Sequence, residues 1–213
     1  LYTRAQDKSL IDVDDDSLIV RAVDYYRTHG NHRSRAMAYY YYAVVHHNAG
    51  DIDGAMEALV KAQLEVEECD DSYLQGLIYS ELGNAYFEQY TYVDASVMYK
   101  LALEKFQQCN LYENIFIAQY CCGLSLFFEG NYSESYTYLS STLEYAKKSN
   151  NIDAILNIEM VLIHIKIKKS ASIEEIEYLK QKLLSIYDFY TDGKIPVTHY
   201  PILGNIYAKT RDL

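Results

Sequence analysis

Tryptophan is absent from this chain of 213 residues, proline occurs twice and glycine nine times. So few helix breakers, set beside an abundance of Leu, Ala, Tyr and Glu, argue for helix throughout. No run of about 18 uninterrupted apolar residues occurs, so no segment has the length to cross a bilayer as a helix. Only four cysteines are present. Cys121 and Cys122 are adjacent, and Cys69 and Cys109 hold equivalent places in successive repeats, too far apart to bridge, so no disulfide framework is built. Cations are scarce: 19 Lys and Arg stand against 30 Asp and Glu, a net charge of −11. That balance argues against contact with a nucleic-acid backbone and against docking on an anionic membrane surface. Solubility accounts for it.

What is present is tyrosine, 24 of them, within a composition that is 50% hydrophobic. A tyrosine ring buries while its hydroxyl stays wet, which suits helix packing that also meets water. The residues recur with a fixed period. Ala43, Gly83 and Gly123 stand 40 residues apart, as do Leu59, Tyr99, Leu139 and Leu179, and Ala22, Ala62 and Ala102. A period of this size marks a repeat architecture, in which small residues let helix backbones approach and larger ones fill the space beside them.

The clearest unit is 72–109. Ser72 with Gln75 reads as a capping box, and Tyr79, Leu82, Gly83 and Tyr86 share one face of the first helix. Ala95, Tyr99 and Ala102 do the same on the second. One repeat earlier, Tyr39, Tyr42, Ala43 and His46 are followed by a Gly50-Asp51 turn and by Ala55, Leu59 and Ala62. One repeat later, Gly123 and Leu126 precede a Gly130-Asn131 turn, then Ser135, Leu139 and Thr142. Asn110 with Glu113 reads as a helix start. The pattern predicts helix pairs over roughly 34–69, 72–109, 112–149 and 152–190, with half-repeats at 1–29 and 199–213, all within one domain. In the fourth pair Ile158, Leu162 and Ile165 form an apolar face and Ser172 with Glu175 another capping box, but no Gly or Ala takes the close-contact position. LGNIY at 203–207 repeats LGNAY at 82–86 and has no expected partner within the chain. Both ends read as cut within a repeat.

Leu82-Gly83-x-x-Tyr86 followed by Ala95, Tyr99 and Ala102 resembles the tetratricopeptide repeat (TPR), whose usual period is 34 residues rather than 40. The resemblance implies an all-α, right-handed superhelical solenoid of antiparallel helix pairs that binds protein or peptide. The N-terminal run LYTRAQDKSLIDVDDDSLIVRAVDYY, followed by RAMAYYYYA, is similar to membrane-anchored TPR regulators of Bacteroidales. That similarity implies a sensor region on the periplasmic side of a larger bacterial regulatory protein.

In a two-helix solenoid the first helices line the concave face, and a groove-facing set lies one position from the packing set. The expected ligand groove is therefore Met37, Tyr40, Val44 and His47, then Leu77, Ser80, Asn84 and Phe87, then Ile117, Tyr120, Leu124, Phe127 and the neighbouring Phe128. This mostly apolar stripe with a few hydrogen-bonding groups suits a peptide or helix anchored by its side chains. A carboxylate clamp is not expected, because no lysine accompanies Asn84. Asp12, Asp14 and Asp16 have calcium-loop spacing, yet Ser17 stands where the glycine belongs and Val23 where the closing Glu belongs, so an acidic helix start is the preferred reading. His46 and His47 point to different faces, His46 packing and His47 towards the groove. His29 and His32 flank a turn without further ligands, so no metal or cofactor is expected. No Gly-x-Ser-x-Gly elbow, Cys–His pair or phosphate-binding glycine loop appears, and no enzyme is expected. Lys147-Lys148 and the run Lys166 to Lys169 lie at helix C-termini, where cations complement the dipole. The expected function is a protein- or peptide-binding scaffold. The alternatives are a cytosolic receptor for a signalling peptide attached to a transcription regulator, and a structural adaptor that self-associates through exposed apolar residues.

Overall fold

A computed structural model describes residues 17–169, 172–196, 199–200, 203–204 and 207–208. Among these residues all regular structure is helical. The helices are α1 (Ser17–His29), α2 (His32–Asn48), α3 (Ile52–Val66), α4 (Ser72–Glu88), α5 (Tyr92–Gln108), α6 (Tyr112–Glu129), α7 (Tyr132–Lys148), α8 (Ile152–Lys169) and α9 (Ile173–Thr191). The calcium-like aspartates Asp12, Asp14 and Asp16 lie outside the described residues. None of the described helices is long and apolar enough to cross a membrane.

Helix ends follow from local chemistry repeated along the chain. Asn31, Asp51, Asp71, Asn151 and Ser172 each accept a hydrogen bond from the backbone N–H three residues on, at 2.9–3.1 Å, filling one of the orphan donors of a helix start. The cap of α4 is thus Asp71 and not Ser72. Asp71 also accepts from Arg33 Nε at 2.7 Å, while Ser72 sits inside the first turn and donates to Gln108 at 2.8 Å. At the other ends a residue in the left-handed conformation closes the helix: Gly50, Tyr90, Asn110, Gly130 and Asn150 all have positive φ. Each is followed by a residue whose N–H reaches the carbonyl five positions back: Asp51 to His46, Thr91 to Tyr86, Leu111 to Phe106, Asn131 to Leu126 and Asn151 to Ala146, at 2.9–3.2 Å. This is the Schellman closure. Asn110 therefore ends α5 rather than starting α6.

The chain forms two compact units, one running to Cys122 and one from Gly123. In the first, Ala36, Ala43, Ala55, Ala62, Ala95 and Ala102 are at most 2% exposed. A Cβ on Gly83 would stand 2.7 Å from the Tyr99 ring, and one on Gly76 2.6 Å from Phe106. The small residues are what let α4 and α5 lie so close. In the second unit a Cβ on Gly123 would meet Leu139 at 2.7 Å, and the Gly123 carbonyl accepts from Ser135 Oγ at 2.7 Å. α8 has no small-residue seam. Nine of its residues, from Ile155 to Ile167, are buried on more than one face, as expected of a helix apolar all round.

The last described residues have a partner after all. Leu203 is 3% exposed, and Lys180 of α9 lies over the Tyr207 ring at 4.8 Å from its centre. His199, 1% exposed, joins the Tyr187 hydroxyl of α9 and Asn157 Oδ1 of α8, each at 2.7 Å. The Asn157 amide nitrogen donates to Asp153 O at 2.9 Å. That fixes Oδ1 as the acceptor, so His199 carries its proton on Nε2 and accepts from Tyr187 on Nδ1. The LGNIY similarity to LGNAY concealed this, because the same local pattern serves a segment that meets α9 and one awaiting a further repeat.

Candidate functional site

The first helices of the first unit, α2, α4 and the start of α6, carry most of the expected groove. Met37 and Val44 are half-buried on α2, and Leu77, Ser80, Asn84 and Phe87 are half-buried on α4. On α6 Ile117 is exposed and Tyr120 half-buried, its hydroxyl pushed up to about 12 by burial. Tyr40, at 6% exposure, is an interior side chain with its ring edge-on to Tyr41. In the second unit Leu124 is half-buried, and Phe127 is held among Phe128, Tyr132 and His164 with 9% exposed. Tyr40 and Phe127 thus offer a partner little more than an edge.

Two members of the expected set, His47 and Asn84, each meet a carboxylate outside it. Val44 and His47 of α2 line a crevice with Asn84 and Glu81 of α4. Its free volume is about 10 Å³, room for one water or the tip of a side chain. His47 Nε2 lies 3.1 Å from both carboxylate oxygens of Glu88, bridging α2 to α4 at the exposed edge. Asn84 is less available than its place suggests. Its Oδ1 accepts from the Tyr99 hydroxyl at 2.6 Å, and its Nδ2 donates to Glu81 at 3.2 Å. Glu81 and Glu88 sit three before and four after Asn84, a spacing that puts both beside it on one helix face. That was the available signal for them.

The rest of the chemistry is structural. His46 packs edge-on to Tyr42 and meets Asp51 Oδ2 at 2.6 Å. The Gly54 backbone N–H, and then His46, hold the Asp51 carboxyl below its ordinary range. His29 lies against Tyr25, and His32 lies 2.8 Å from Glu65. Among the described residues no group of His, Cys, Asp and Glu is arranged to hold a metal ion. All four cysteines are free thiols, and burial pushes Cys121 up to about 11, the opposite of what activates a nucleophile.

No protein-family model matches the sequence, and no curated protein matches it. Solved structures do resemble the fold. The apo form of RapI superposes with a TM-score of 0.67 at 15% identity, over 83% of this chain and 64% of that one. A putative kinesin light chain of nearly identical TPR-like repeats from Podosopora anserina gives 0.67 at 13%, over 89% and 93%. BtubC (BKLC) from P. vanneervenii gives 0.62 at 16%, over 92% and 84%. The chain spans a little under two thirds of RapI's length. The fold is therefore that of the TPR-like helical repeats. At these identities the likeness extends to the fold and no further.

Proposed function

We propose that this chain is a protein- or peptide-binding repeat scaffold that performs no catalysis, and that its first unit takes the ligand along the face made by α2 and α4. The observation that carries this is the state of Met37, Val44, Leu77 and Phe87. They are apolar, neither fully buried nor fully exposed, and aligned on the two helices that also contribute His47 and Ser80. A partner laid along such a face gains apolar burial from the stripe and orientation from its polar edge. The TPR-like fold agrees with a binding role. The similarity to regulators of Bacteroidales supports reading it as the interaction part of a larger bacterial regulatory protein. Peptide-array or pull-down screening of wild type against Leu77→Ser and Phe87→Ser tests the site. Loss of roughly tenfold or more in affinity is expected for an anchor residue. Folded variants that bind as wild type would remove α4 from the site.

One observation favours a second reading. Val60 and Leu64 on α3 and Val93 and Val97 on α5 are 43–64% exposed, each pair four residues apart on its helix. Such a face suits self-association. Light scattering across a range of concentrations decides it, a constant monomer mass removing this reading.

A further inference from the structure

We propose a second, independent site: the cleft among α7, α8 and the first turn of α9 binds a small ligand through an oxyanion, a carboxylate or a phosphate. The cleft measures about 310 Å³ and is lined by Tyr136, Ile165, Lys166, Lys169 and Glu175. Two lysines line it. Lys166 and Lys169 stand three apart on α8 and so share one helix face. Lys166 Nζ sits 5.7 Å from the centre of the Tyr136 ring, and Lys169 Nζ donates to Ser133 Oγ at 3.1 Å. Neither is ion-paired with a carboxylate among the described residues, unlike Lys61, Lys147 and Lys180; Lys105, Lys148, Lys168, Lys182 and Lys194 are unpaired as well, so what sets Lys166 and Lys169 apart is the shared cleft.

The clustering runs against the grain of the chain. In a protein of net charge −11, two cations lining one cleft are a local reversal of sign. Here two share a cleft with a single lining carboxylate, Glu175, so the local charge is positive in excess. The helix dipole explains why lysines suit the end of α8. It does not explain why two of them converge on an open volume with an aromatic wall. An ammonium carries three donors. Lys169 spends one on Ser133, whose own hydroxyl hydrogen remains to be given. An oxyanion between the lysines would accept from both ammoniums and from Ser133, the charge-assisted bonds that recognise such groups. Its body would lie over Tyr136. Glu175 lines the same cleft and opposes any anion entering it, so it limits affinity and favours ligands whose charge is confined to one end.

Titration of the whole 213-residue chain at low ionic strength with inorganic phosphate, and separately with benzoate, tests the site by NMR. Saturable shifts in Tyr136, Lys166 and Lys169 are expected, and the tighter of the two probes identifies the preferred anion. Lys166→Met with Lys169→Met should weaken binding by roughly tenfold or more, and Glu175→Gln should tighten it severalfold. Lys148→Met removes the same charge about 18 Å along α7 from Tyr136 and should leave binding unchanged. The proposal is overturned if neither probe gives a saturable shift by about 10 mM, if Lys148→Met weakens binding as much as the cleft variants do, or if Glu175→Gln weakens it. Glu175→Gln, which is expected to gain affinity, keeps the test decisive should the lysine variants fold poorly.

Discussion

Tyr90 ends α4 with φ +61° and 78% of its surface exposed. The residues that end the corresponding first helices one repeat before and after it are Gly50 and Gly130. A side chain in the left-handed region costs on the order of 1–2 kcal/mol, less for asparagine, which fills the same role here at 110 and 150. Tyr90 returns little for that cost, since its ring touches Tyr92 only edge-on at 6.2 Å. Tyr90→Asn is expected to stabilise the protein by about 0.5–1 kcal/mol, seen as a rise of about 1–4 °C in melting temperature. A lower melting temperature would show that the ring contact outweighs the backbone strain.

At the scale of the element, the approach of α4 to α5 depends on one missing methyl. The Tyr99 ring lies where a Gly83 side chain would be, and it cannot retreat easily because its hydroxyl is bound to Asn84. Gly83→Ala gains about 1 kcal/mol of helix propensity but overpacks the seam by about 1–3 kcal/mol. A net loss of up to about 2 kcal/mol by denaturant titration is expected, and a gain would mean the helices separate at no cost. The docking of the C-terminal segment is pH-dependent for a similar reason, that its contact is already complete. Burial holds His199 below its usual pKa, so the neutral ring is the folded form. The unfolded chain binds that proton more readily, hence stability rises with pH across the interval below about 6.5 and falls on acidification. Protonating Nδ1 would also take away the site that accepts from Tyr187. Between pH 7.5 and 5 the loss of stability should be smaller in His199→Asn than in wild type, as read from urea midpoints at each pH. An unchanged slope would acquit His199.

For the molecule as a whole, the excess of 30 acids over 19 bases produces a self-repulsion that salt screens over a Debye length of about 8–10 Å. The surface ion pairs that salt also weakens contribute little each. Raising ionic strength from low to physiological should therefore raise the melting temperature, by about 2–4 °C for each kcal/mol relieved in a chain of this size. A fall would show that ion pairs such as Arg35–Glu65, at 2.8 Å, dominate over net charge. The same acidity sets the context for both proposed sites. The α2–α4 face presents Glu81 and Glu88, while Lys166 and Lys169 outnumber the one acid, Glu175, in the cleft they line.

The 40-residue step placed Gly83 and Gly123 in close-packed seams, because only the missing side chain allows such an approach, and this absence is written in the residue itself. The turns at Gly50 and Gly130 were legible for the same reason. Where two residues shared the needed chemistry, the sequence left the choice open. Asp71 and Ser72 can both cap a helix, and Arg33 reaching across from α2 engages the aspartate. Asn110 can start a helix or end one, and the reach of Leu111 back to Phe106 made it an end. The candidate face was legible as a stripe, but how much of each side chain it offers was not. Tyr40 and Phe127 withdrew inside, and Asn84 was taken by Tyr99, fifteen residues away. Periodicity fixes which side of a helix a residue occupies. What that side chain touches depends on groups distant along the chain, whose meeting is decided only when the helices pack.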